Sequence, residues 1–211
     1  MKINSAAIFS HYSVNSAIGS YRVFSPLREA VIEAHPGIKD GQVDFEAIEK
    51  SDLVLIQREF GKELNKYESV VKLARKLSKP IIYDTDTLLI NPEPSPGHIN
   101  LPLGEALLPT IRSISEADLV TVPTQTLKNA LSSYNSNIVV LPNFLDTHYW
   151  QIRKPVLRDS EKSPVVLGYL GGENSKPNLE FIQPVISKLL SKFGDKLRFT
   201  VWGLQPPNEL L

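Results

Sequence analysis

The sequence predicts an α/β protein built on a doubly wound parallel sheet, and two observations carry that prediction. Short runs rich in Val, Ile and Leu recur along the chain, apolar almost without alternation, as strands buried on both faces are. Stretches with apolar residues at three-and-four spacing lie between them. No run approaches the roughly 18 consecutive apolar residues that a membrane span needs. Strands that alternate with helices imply right-handed crossovers and a parallel sheet.

The first strand lies in "KINSAAIF" and is followed by "AIGSYRVFSPLREAV". Gly19 permits close backbone approach, Ser20 offers a hydroxyl and Arg22 a guanidinium able to clamp an oxyanion bidentately, though the same residues suit an ordinary βα loop with a solvated arginine. "SDLVLIQ" from Ser51 reads as the next buried strand. "ELNKYESVVKLARKL" reads as a helix, with Leu64, Tyr67, Val70, Val71, Ala74 and Leu77 on one stripe. "PIIYD" from Pro80 is a strand that ends on a carboxylate. Asp84 and Asp86 in "YDTDTLL" therefore stand where open parallel sheets hold ligands, and buried carboxylates are costly unless they cap a group or face one. The following "INPEPSPGHINLPLGE" reads as a loop at that same edge, and His98 within it is the histidine most worth following.

"DLVTV" from Asp118 and "NIVVLP" from Asn137 read as further strands, joined through a helix "TQTLKNALSSY" with Thr124 as its N-cap. "YWQIRKPVLRDSEKSP" is charged and carries two prolines, which suits an interdomain linker over 149–164. It separates a first domain, 1–148, from a second segment, 165–211. That segment contains the strands "VVLGYL" and "LRFTVWG" around the helix "NLEFIQPVISKLLSKFG", which Pro184 is expected to kink or split and Gly194 to end. Gly171, Gly172 and Lys176 between the first of these strands and the helix suit a diphosphate, or else a plain glycine turn.

The chain has 211 residues, 23 Lys+Arg against 23 Asp+Glu, and no cysteine. The balanced charge supplies no overall field to gather nucleic acid, and the absence of cysteine excludes disulfides and thiolate catalysis and fits a reducing compartment. His11, His35, His98 and His148 have no metal-ligand spacing, no Gly-x-Ser-x-Gly elbow is present, and no Gly-x-Gly-x-x-Gly supports a nicotinamide oxidoreductase.

In their order, "GSYRVFSP", "SDLVLIQREF", "KPIIYDTDTLL", "ADLVTVPTQTLKNAL", "VVLPNFLDTHYW" and "VVLGYLGGENSKPNLEFI" leading to "RFTVWG" resemble the group-one glycosyltransferases of the GT-B architecture, over nearly the whole chain. The resemblance implies an acceptor-binding Rossmann-like domain followed by a nucleotide-sugar-binding one. Transfer would take place in the cleft between them, with retention and without a metal, although Asp-x-Asp is also the metal-binding pattern of another transferase class. It assigns Gly19, Ser20, Tyr21, Arg22, Thr124 and Asn143 to the acceptor side, Asp84 and Asp86 to the reacting centre, and Gly171, Gly172 and Lys176 to the donor diphosphate.

Gly172 stands where many members carry an arginine, and the family's donor-binding glutamates lie beyond Leu211. The resemblance therefore implies a donor domain that is incomplete in this chain, inactive alone and prone to associate through exposed apolar residues such as Val166, Leu167, Phe181, Phe199 and Trp202. The expected co-substrate is a nucleotide sugar, with no other cofactor. The acceptor is a glycan, lipid or small molecule, with no nucleic acid partner, and the location is cytoplasmic or peripheral to a membrane. A non-catalytic α/β ligand-binding module derived from such an enzyme is the alternative.

Overall fold

The computed structural model describes residues 2–88, 103–143, 145–147, 150–151, 153–154, 163–172 and 175–205. His98, His148, most of the 149–164 stretch and the loop at 89–102 lie outside the described residues. The described residues divide into two compact units, with the division after Gln151.

The first unit is a six-stranded, wholly parallel sheet of β1 (Ser5–Phe9), β2 (Glu33–Pro36), β5 (Leu53–Gln57), β6 (Ile81–Asp84), β7 (Leu119–Val122) and β8 (Ile138–Val140). Their spatial order is β2-β1-β5-β6-β7-β8. Between β2 and β5 lie a two-residue hairpin, β3 (Ile38–Lys39) with β4 (Gln42–Val43), and α3 (Phe45–Lys50). Ahead of β2, the stretch read as a loop is helical in three short pieces: α1 (Ala17–Gly19), a π turn (Ser20–Phe24) and α2 (Ser25–Glu29). A 3-10 turn (Arg58–Lys62) and α4 (Leu64–Lys76) follow β5, α5 (Leu103–Glu116) follows β6, and α6 (Gln125–Leu131) follows β7.

Alternation along the strands divides the core between the two faces of the sheet. Ala7, Phe9, Val54, Ile56, Ile81, Tyr83, Val120, Val122 and Ile138 pack with Ile48 of α3, Tyr67, Val70 and Ala74 of α4, Ile114 of α5, and Leu127 and Leu131 of α6. Ala6, Ile8, Leu53 and Leu55 pack on the other face with Val23, Phe24 and Leu27. The crossover leaving β1 thus covers one face, and those leaving β5, β6 and β7 cover the opposite one. The strand order reverses between β1 and β5, so their C-terminal ends form a topological switch point, the place where open α/β sheets hold their ligands.

The second unit is a parallel pair, β9 (Val165–Leu170) and β10 (Leu197–Trp202), joined through α7 (Lys176–Phe193). Pro184 does not split this helix as the sequence suggests, and Pro109 likewise sits inside α5. Leu179 and Ile186 of α7 are buried against Leu167, Tyr169, Phe199 and Val201. Val166, Leu170 and Trp202 remain exposed, as does Phe181 on the helix, whereas Leu167 and Phe199 are half-buried. Among the described residues no helix is long and apolar enough to cross a membrane.

Candidate functional site

A belt of polar side chains crosses the C-terminal ends of β1, β5, β6 and β7 and reaches the chain after β8. Ser10, just past β1, donates from Oγ to Gln57 Oε1 (2.6 Å), and Gln57, the last residue of β5, donates from Nε2 to Asp84 Oδ2 (3.4 Å). Thr121 of β7 donates to Asp84 Oδ1 (2.7 Å). Arg22 closes the belt: Nη2 and Nε donate to the two oxygens of Asp84, and Nη1 donates to Leu141 O and to Asn143 Oδ1 (3.1 Å). Gln57, Asp84 and Arg22 are all buried.

The bidentate clamp that the sequence offers to a ligand is therefore made inside the protein. Asp84, expected at the reacting centre, accepts from Arg22, Gln57 and Thr121 at 1 % exposure. Burial pushes its carboxyl up, against the pull of those donors toward the charged form. This leaves Asp84 as a holding group that ties the first loop to β6 and β7, while Arg22 carries the tie on to the chain beyond β8. Ser25 Oγ (2.7 Å) and Arg28 Nη2 both bond Asp146 Oδ2, which fixes the same segment a second time.

Gly19 serves the loop as well. A Cβ there would lie 2.2 Å from Ser13 O, so its missing side chain admits the chain itself. Ser20 and Tyr21 lie half-buried in the π turn, with Ser20 Oγ 3.4 Å from Ser25 Oγ. Thr124 is exposed and accepts from Leu127 N (3.2 Å), the N-cap the sequence predicts.

Asp86 parts from Asp84. Its Oδ1 lies 3.4 Å from Arg58 Nε and accepts from Thr87 Oγ1 at 3.4 Å. Among the described residues no group of three metal-ligating side chains assembles. In the second unit, Gly171 N donates to Trp202 O (3.0 Å), Gly172 is exposed, and exposed Lys176 opens the first turn of α7.

Sequence reasoning left Arg58, Glu59 and Tyr12 unassigned. Arg58 is the first residue after β5 and has φ 46°, a left-handed conformation that costs an L-residue roughly 1–2 kcal/mol. Tyr83 OH donates to its carbonyl (3.1 Å), and burial pushes that hydroxyl's pKa up, so it stays a donor. The charged "QRE" directly after an apolar run is the signal that also marked Asp84, and it would have marked Arg58.

The opposite edge differs in kind. There Asp52 accepts from Asn4 N (2.7 Å) and Ser5 N (3.1 Å), and Asp118 from Ile81 N (2.7 Å), so those carboxylates serve strand ends. A shallow groove between α4 and α5 is lined by Lys72, Arg75 and Arg112 among others, and Arg112 there is paired with Glu68 (2.7 Å) and with Glu116 (2.8 Å). No known family's sequence profile matches the chain, and no curated protein matches it.

Proposed function

We infer that the chain belongs to a sugar transferase of the GT-B type, the first unit serving the acceptor and Gly171, Gly172 and Lys176 of the second serving the diphosphate of a nucleotide sugar. One observation carries this reading. Arg22 and Asn143, which the resemblance assigns to the acceptor side, and Asp84, which it assigns to the reacting centre, come from three separate segments and meet in one hydrogen-bonded network at the ligand edge of the sheet. In this reading transfer needs no metal and proceeds with retention in the cytoplasm or at a membrane surface. The role of Asp84 is to hold that edge in shape. Its engagement by Arg22, Gln57 and Thr121 also favours a second reading, a ligand-binding module without chemistry, because no proton transfer is open to a carboxylate so occupied.

One experiment separates the two readings. The product of the whole reading frame that encodes this chain is incubated with common nucleotide sugars and a pool of sugar acceptors, and nucleoside diphosphate release is followed beside direct binding of the acceptors. Acceptor-dependent release supports the transferase. Acceptor binding without release supports the binding module. Neither release nor binding of any sugar overturns both.

A further inference from the structure

The six-stranded sheet ends differently at its two edges. At β2, Glu33 N donates to Asn4 O (2.8 Å) and Gly37 N to Ile8 O (2.8 Å), so alternation turns Ala34 and Pro36 outward, and Pro36 has no N–H to offer. Glu33 and His35 add polar side chains to that edge. β8 carries none of these devices. Asn137 O accepts from Val120 N (2.9 Å) and Leu141 N donates to Val122 O (2.7 Å), so the same alternation turns the N–H and C=O of Ile138 and Val140 away from β7. Among the described residues no strand lies beyond β8 to receive them. Ile138 packs into the core beneath α6, while Val139 stands on the opposite face of the sheet and is 48 % exposed.

An unpaired strand edge recruits another strand, and charge and symmetry decide which one. From Asn129 to Leu145 the chain carries no Asp, Glu, Lys or Arg, although 22 % of its residues are charged, so a second copy brought against this edge meets no like charge from the same segment. We propose that β8 pairs antiparallel with β8 of a second copy of this chain, about a twofold axis at Val139. That register sets Ile138 opposite the partner's Val140, and each such pair exchanges both of its N–H···O=C bonds. Val139 then meets the partner's Val139 as the close, non-hydrogen-bonded pair, which covers two half-exposed apolar side chains. Because the β2 edge is closed, pairing through this sheet stops at two copies and does not run on into a fibre. A strand of three residues buries less than the ~1,000 Å² of a stable interface, so the pairing is reversible and depends on concentration.

Sedimentation velocity of the full chain over a concentration series up to ~1 mM tests it, a range that reveals even weak pairing. A monomer–dimer equilibrium is expected. Val139→Lys sets two ammonium groups opposite each other and weakens it about tenfold or more, with circular dichroism unchanged because the side chain is exposed. Leu170→Lys, on the exposed face of the second unit, leaves the equilibrium in place and ending at two copies. A second variant stands in for Val139→Lys if that one does not fold. The chain has no cysteine, and a non-hydrogen-bonded antiparallel pair brings its Cα atoms to about 4.5 Å, within the reach of a disulfide. On mild oxidation Val139→Cys therefore cross-links two copies several times faster than Val31→Cys, although Val31 is the more exposed at 86 %. Four results overturn the proposal: a chain that stays monomeric throughout, association that survives Val139→Lys, association that is lost or grows beyond two copies in Leu170→Lys, or cross-linking of Val139→Cys no faster than that of Val31→Cys.

Discussion

Replacing Asp84 with Asn removes one charge of a buried pair and keeps the shape. The Arg22 guanidinium then stays in the interior, with neutral acceptors, the amide oxygen at position 84, Leu141 O and Asn143 Oδ1, and no counter-charge. Breaking a buried pair from one side costs about 3–5 kcal/mol, well above the ~0–1 kcal/mol of an exposed pair. For a unit of this size that lowers the melting temperature by roughly 6–20 °C. Arg22→Met leaves the opposite problem, a buried carboxylate, and that one has a remedy. Burial already pushes Asp84 up, so without the arginine it takes a proton in the folded state more readily than in the unfolded chain. A raised folded pKa means that stability is lost as pH rises, so Arg22→Met is least damaging under mildly acid conditions and most damaging at neutral pH. Asp84→Asn has no such carboxyl, so its own stability does not change through this site across that window, and its deficit against the parent narrows as pH rises. Urea unfolding followed by far-UV circular dichroism at several pH values measures both. Losses below about 1 kcal/mol for both variants, or an Arg22→Met deficit that does not grow with pH, would refute the view that the belt is held by a desolvated ion pair.

Two further outcomes follow from the same geometry. Gly19→Ala places a Cβ 2.2 Å from Ser13 O and destabilises by roughly 1–3 kcal/mol despite the helical backbone, and a neutral or stabilising result in chemical unfolding contradicts the close approach. At the other edge, the N–H of Asn4 together with Ser5 holds the Asp52 carboxyl below its usual range, so its contribution is present above about pH 4 and fades as pH falls further. Asp52→Asn therefore separates from the parent at neutral pH and converges with it in acid, and parallel stability curves would refute the assignment.

The sheet was legible because its inner strands leave little choice. "LVLIQ" and "IIYD" are too short for helices and too apolar for loops, and every residue of β5 is buried. β2 escaped because "EAHP" is a polar edge strand that pairs only with β1, and α3 because six residues give too little periodicity to read. Pro184 misled because a proline inside an amphipathic run reads locally as a break, yet packing of Leu179 and Ile186 on both sides of it holds α7 together. At the site, a carboxylate ending a buried strand pointed to Asp84, but its partner is 62 residues away and no local pattern encodes that pairing. The left-handed backbone of Arg58 was likewise beyond reach, since nothing in "IQREF" calls for it.

The claim on which the account turns is that the C-terminal edge of the first unit's sheet, at the reversal between β1 and β5, is where a ligand sits. Amide chemical-shift mapping of the isotope-labelled chain, titrated with the sugar acceptors of the release experiment, reads this residue by residue. The account predicts that the largest changes fall on Ser10 to Ser13, Arg58 to Phe60 and Asp86 to Thr87. Changes gathered instead around Asn4, Asp52 and Asp118 at the opposite edge, or along the groove between α4 and α5, would contradict it.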